Sequence, residues 1–287
     1  MATLIELIKV LRETTGAGMM DCKKALQETN NDVEAAKDWL REKGITTAAK
    51  KQTRIAAEGL TIAKVNAKHS LVLELNCETD FVARGDAFIE LVNLLADLLL
   101  EKLPATKEEA DALVNPILVE ATVKIGEKLS FRRFELVEVD ASRAFAYVHM
   151  GGKISSLVVL EKANEELARG LAMHIAANNP RFINLADVSP AELDHEKAIQ
   201  LEAAKNDEKL AGKPVAMLEK IIEGKVRKTF AEVALLEQVY LLDGVNKVAD
   251  VLKQNANSVQ AFYRFQVGEG IEKKKDDFAA EVMAATK

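Results

Sequence analysis

This chain is short of everything that punctuates or cross-links a polypeptide. Five prolines and 14 glycines in 287 residues leave little linker material between modules. Two cysteines, Cys22 and Cys77, cannot build a disulfide framework, so a reduced, cytoplasmic setting is the default. Lys+Arg is 39 against 45 for Asp+Glu, a net charge of −6, which argues against nucleic acid as the main partner. The most apolar segment, Phe88 to Leu103, is broken by Glu90, Asn93 and Asp97 and cannot serve as a membrane span. The N-terminal stretch carries Glu6 among its apolar residues and does not read as a signal peptide. The usual catalytic motifs are missing as well. There is no G-x-x-x-x-G-K-[ST] phosphate loop, no H-E-x-x-H and no G-x-S-x-G, and Gly268-Glu269-Gly270 lacks a third glycine. His69, His149, His174 and His195 show no paired metal-ligand spacing. The expectation is a protein without catalytic site, cofactor or metal.

What is present is apolar patterning, and it is organised around one stretch. Leu71-Val72-Leu73-Glu74-Leu75 is rich in strand formers and too short for a helix. Phe88, Leu91, Val92, Leu94, Leu95, Leu98 and Leu99 then follow at helical spacing. Between them lie Thr79, Asp80, Phe81 and Val82, where a strand hands over to a helix. Thr79 or Asp80 can cap that helix. Phe81 either staples the helix to the core or points outward at a partner. Arg84-Gly85-Asp86 reads as a chance tripeptide at the helix start.

In chain order, residues 1–45 read as three short helices. Leu4, Leu7, Ile8 and Leu11 share one face of the first, the second starts at Met19, and Asp32 caps a third that Gly44 is expected to stop. From Ala25-Leu26 to Trp39-Leu40 this bundle resembles the ubiquitin-associated (UBA) domain. Met19 and Met20 either plug it or lie near its surface as a soft partner patch. Residues 46–58 read as a basic helical linker. Residues 59–140 form a first core subdomain that opens with a hairpin turning at Asn66-Ala67-Lys68. Residues 141–188 and 231–270 form a second. A gapless offset of 85 lays Ala168-Arg169-Gly170 on Ala83-Arg84-Gly85 and Phe145 and Tyr147 on Leu60 and Ile62, an internal repeat of hairpin plus helix. Ser130 to Leu136 is expected to supply the third strand of the second copy, with Phe262 to Val267 as another sheet member. At the same offset Thr79-Asp80-Phe81 falls on Asn164-Glu165-Glu166, so the aromatic is present in one copy only. A structural staple should survive in both, which favours a partner role for Phe81. Residues 189–230 read as an inserted antiparallel helical hairpin turning at Ala211-Gly212-Lys213-Pro214, a dimerisation or docking arm. Residues 271–287 read as a C-terminal helix anchored by Phe278, Val282 and Met283. The fold class is thus α+β.

Two long motifs then point to a family. The run Leu11-Arg12-Glu13-Thr14-Thr15-Gly16-Ala17-Gly18-Met19-Met20-Asp21-Cys22 resembles the first signature of bacterial elongation factor Ts. Glu74-Leu75-Asn76-Cys77-Glu78-Thr79-Asp80-Phe81-Val82-Ala83-Arg84 resembles the second, and Arg264 to Glu272 is also similar to that family. The resemblance implies a guanine-nucleotide exchange factor for elongation factor Tu, reaching the GTPase domain and the third domain of Tu. It implies that Asp80 and Phe81, flanked by Thr79 and Val82, intrude near the Mg²⁺ site of Tu. Leu11, Arg12, Met19 and Met20 would form the bundle's contact surface, with His149 as a core contact and the helical hairpin as a possible homodimer interface. A ubiquitin-binding module and a structural adaptor working through the hairpin are the competing classes.

Overall fold

The computed structural model describes residues 2–51, 53–205 and 214–272. The expected interhelical turn at Ala211-Gly212-Lys213 and the C-terminal helix anchors lie outside the described residues. Three helices open the chain: α1 (Leu4–Thr15), α2 (Met19–Glu28) and α3 (Val33–Lys51). Thr3 caps α1 in a capping box with Glu6, and Gly16 ends it with φ 67°, a left-handed turn that glycine makes without strain. Leu11, Cys22, Ala25, Leu26, Ala36 and Leu40 are buried between the three.

Gly44 does not stop α3. A Cβ at Gly44 would lie 2.7 Å from a Val123 methyl, so the missing side chain is a notch for a neighbouring helix. A glycine inside a helix costs about 1 kcal/mol relative to alanine, and close packing of two helices offsets that. Bundle and linker are therefore joined by one continuous helix.

The core follows as β1 (Glu58–Val65), β2 (His69–Cys77), α4 (Asp80–Ala83), α5 (Asp86–Lys102), α6 (Lys107–Ile125) and β3 (Ser130–Glu138). It continues with β4 (Ala144–His149), β5 (Ile154–Leu160), α7 (Glu165–Asn178), α8 (Pro190–Lys205), α9 (Val215–Val233), α10 (Val248–Gln254) and β6 (Val259–Gln266). Two antiparallel sheets result, ordered β1-β2-β3 and β4-β5-β6. Ser130 to Leu136 thus belongs to the first sheet, contrary to the expectation, and β6 completes the second. The repeating unit is longer than a hairpin plus helix: it is hairpin, helix, helix, third strand. Helices α8 and α9 are inserted into the second copy, where Val188, Ile222, Val226 and Phe230 bury against one another. The offset of 85 places equivalent residues on equivalent faces but not in equivalent register. Leu60 pairs with Leu75, whereas Phe145 pairs with Val158. The shared glycine also changes use. Gly85 is the N-cap of α5, while Gly170 lies within the unbroken α7, where a Cβ would strike the Tyr240 hydroxyl.

The sheets stack face to face. Helices α5 and α6 cover the outer face of the first through Leu71, Leu73, Leu75, Phe88 and Leu95. Helices α7 and α10 cover the second through Val158, Leu160, Leu171 and Val251. Between the sheets lie Ala63, Val72, Leu157, Val159 and Phe265. Strand β2 is buried on both faces, which explains its unalternating apolar run. The exception in that run, Glu74, is fully buried. Its carboxylate accepts from Arg132 Nη1 (3.0 Å), Arg133 Nε (2.6 Å), Asn76 Nδ2 (3.1 Å) and the Gly268 amide (2.8 Å). One side chain thereby ties β2, β3 and the end of β6 together. Removing one partner of a buried ion pair leaves the others uncompensated. Glu74→Ala is expected to destabilise the core by about 3 kcal/mol, the low end for buried pairs because both arginines keep some solvent contact, measured by urea unfolding.

Candidate functional site

Strand β2 ends at Cys77, and the chain turns at Glu78-Thr79 into a single helical turn, α4. Thr79 is its cap: its hydroxyl accepts from the Val82 amide at 3.3 Å. Arg84 and Gly85 then interrupt the helix, and α5 starts afresh from Gly85. The cap therefore serves a separate turn, contrary to the expectation that it would cap the long helix, whose own N-cap is Gly85. Arg84-Gly85-Asp86 supplies the break. Arg84 also pairs with Asp80 at 2.9 Å, an exposed i,i+4 bridge.

The corner is latched from below. Glu127, in the turn between α6 and β3, accepts from the amides of Glu78 and Thr79, both at 3.0 Å, and from the Thr79 hydroxyl at 2.6 Å. Glu78 returns the latch by accepting from the Lys128 amide at 2.6 Å and from Arg54 at 3.2 Å. Val82 packs on the first core and Ala83 is buried in it. Nothing in the sequence pattern pointed to Glu127, which lies 48 residues from Thr79. Under the corner, burial and the nearby Glu127 carboxylate push the Cys77 thiol up to about 12. Phe81 stands on this fixed base with 85% of its surface exposed. A ring in that position staples nothing.

The second half of the core repeats the corner without the ring. Asn164 caps α7 by accepting from the Leu167 amide at 3.0 Å. Its approach is latched to the turn before β6, where Asn257 accepts from the Lys162 amide at 3.0 Å. Cap and latch recur, although α7 runs on unbroken where α4 stops after one turn, and the side chain presented is the exposed Glu166.

In the bundle, Met19 and Met20 are 57% and 73% exposed and do not plug it. Arg12, on α1, is exposed as well. Leu11 is 0% exposed and fills the bundle core, so its side chain is no part of that surface. His149 is half-buried at the end of β4, its Nδ1 2.9 Å from the Tyr147 hydroxyl. Among the described residues, no three His, Cys, Asp or Glu side chains are grouped to hold a metal. No helix among them is long and apolar enough to cross a membrane.

The family model described as "Elongation factor TS" matches residues 78–269, beginning at this corner. The chain belongs to the elongation factor Ts family. A second model, "Elongation factor Ts, mitochondrial, N-terminal", matches residues 1–48 and so ends within α3, beyond Gly44. An elongation factor Ts of Acholeplasma laidlawii (strain PG-8A) is 49% identical over 286 residues, covering 97% of each chain. Membership of the elongation factor Ts family thus spans the bundle and both halves of the core.

Two outcomes follow for this member of the elongation factor Ts family. Phe81→Ala should change stability by no more than about 0.5 kcal/mol, whereas Phe88→Ala, which empties a buried site, should cost about 3–5 kcal/mol; chemical denaturation of both variants checks this. Burial raises both the Cys22 and the Cys77 thiols, so neither should react with a disulfide reagent such as DTNB at pH 8 in the folded protein. Both should react on unfolding.

Proposed function

We propose that this protein is a guanine-nucleotide exchange factor for elongation factor Tu, and that the Asp80-Phe81 corner loosens the Mg²⁺ and phosphate site of Tu. The observation that carries the reading is the pair of corners. Each corner has a side-chain cap, Thr79 or Asn164, and a latch from the turn before the third strand, Glu127 or Asn257, and only one presents a large exposed ring. Exposing phenylalanine forfeits about 1.5–3 kcal/mol of burial, which a binding surface can recover at an interface. Family membership supplies the identity of the partner.

The mechanism needs no acid, base or cofactor on this chain. A GTPase holds nucleotide largely through Mg²⁺ and phosphate charge. A ring and a carboxylate pressed against the loops that hold the ion favour the nucleotide-free state. The protein then binds that state better than the nucleotide-bound one, and the coupling is reciprocal: it weakens nucleotide as nucleotide weakens it. Thr79 and Val82 anchor the corner, while Asp80 and Phe81 make the contact. Arg12, Met19 and Met20 add a second, soft contact on the GTPase domain, and His149 with the exposed Met150 offers a third toward another domain of Tu. The UBA-like bundle is a docking module in this reading, and the α8–α9 arm a surface for a second copy of the chain. The cytoplasm is where Tu works and where both thiols stay reduced.

The test is release of fluorescent GDP from Tu. Phe81→Ala should slow release by about tenfold or more, the scale of a hot-spot truncation, and Asp80→Ala should act in the same direction. Glu166→Ala, at the matching position of the second corner, should leave release unchanged. Met19→Ala with Met20→Ala should weaken binding by about 1–3 kcal/mol with the melting temperature intact. Normal release by Phe81→Ala would refute the wedge.

A further inference from the structure

The bundle and the corner are both fastened to the same few residues. Helix α6 carries Val119 and Val123, which fill the Gly44 notch of α3. Lys124, the next residue, runs past Gly16 at the end of α1, where a Cβ would lie 3.0 Å from its Cε. The Gly126 carbonyl accepts from Lys51, at the end of α3. The next residue, Glu127, latches the Thr79 corner, and Lys128 donates its amide to Glu78 and its ammonium to the Arg54 carbonyl at 2.8 Å. Within six residues the chain grips α1, α3, the segment after α3, and the base of Phe81.

We propose that the turn Gly126-Glu127-Lys128, with the end of α6, is a positioning joint that fixes the Phe81 corner and the N-terminal bundle relative to each other, so that both contacts meet one partner at once. It rests on the exchange-factor reading above. Glu127 does not touch the partner; it acts through Thr79 on where Phe81 stands. Gly44 does not touch the partner either; it sets where Met19 and Met20 stand. Two contacts held at a fixed spacing make the second binding event intramolecular, and a slack joint lowers its effective concentration.

The two limbs of the joint should separate kinetically. In GDP release from Tu stimulated by this protein, Glu127→Ala should lower the rate at saturation by about fivefold while the half-saturating concentration changes little, the pattern of an interaction made in the transition state. Placed on Phe81→Ala, the same change should cost nothing further, because its route runs through the ring. Glu127→Gln keeps a carbonyl acceptor and should recover most of the rate. Gly44→Leu should do the converse, raising the half-saturating concentration about tenfold with the saturating rate kept. Equal losses from Glu127→Ala with and without Phe81, or an unchanged half-saturation in Gly44→Leu, would overturn the joint. A second readout does not involve the partner. Glu127→Ala should open Cys77 to DTNB in the folded protein, with the melt still cooperative, and a Cys77 that stays masked would also overturn it. Should Glu127→Ala fail to fold, Thr79→Val removes the hydroxyl donor to the same carboxylate and carries the same predictions. If the wild-type chain does not accelerate GDP release at all, the exchange-factor reading falls, while the Cys77 result still reports on the latch itself.

Discussion

A single carboxylate between two sheets holds this molecule in shape. Glu74 occupies the only charged position of a strand buried on both faces, and it takes hydrogen bonds from β3 and from the turn after β6. Arg133 reaches on from there to Glu269 at 3.2 Å and stacks over Phe265 at 4.2 Å. An isolated buried charge would be prohibitive, and only full satisfaction by several donors makes it tolerable. The consequence is register. Hydrophobic stacking alone lets two sheets slide, whereas the Gly268 amide bonded to Glu74 at 2.8 Å, with Arg133 spanning from Glu74 to Glu269, ties the end of β6 to β2 and β3 at one position. Because β2 is pinned at Glu74, its end at Cys77 is pinned, and the corner that follows starts from a fixed point.

The corner extends that rigidity to the surface. A one-turn helix has no stability of its own. It persists because Glu127 satisfies the free amides beneath it and Val82 and Ala83 bury into the core. The result is an aromatic side chain held in water by a polar latch, the reverse of the usual placement of phenylalanine. The second half of the core has an Asn164 cap and a latch to Asn257, and presents Glu166 where the first presents Phe81.

Much of this was legible in the chain itself, and the failures have physical reasons. The strand-to-helix handover, the hairpin turn and the Asp32 cap are local, so local chemistry found them; the Ala35 amide does donate to Asp32 at 3.0 Å. The missing ring in the second copy separated surface from staple because a repeat carries its own control. Gly44 misled because a helix-ending glycine and a helix-packing glycine look alike until Val123 is seen against it. The third strand was assigned to the wrong copy because strand pairing is non-local. Leu11 belongs to a surface motif in sequence and to the core in space, since a helix sends successive residues to different faces. Glu127 was invisible because no spacing rule links residues 79 and 127.

The central claim is that Phe81 works through the Mg²⁺ site of the partner. The most direct measurement is GDP release from Tu driven by wild-type protein and by Phe81→Ala, each with Mg²⁺ present and after chelation by EDTA. If the ring acts by loosening the ion, the gap between the two proteins should be wide with Mg²⁺ and close once the ion is gone, because the step that Phe81 assists has already been taken. A gap of the same size in both conditions would mean that the ring serves affinity alone and that the ion is displaced by something else.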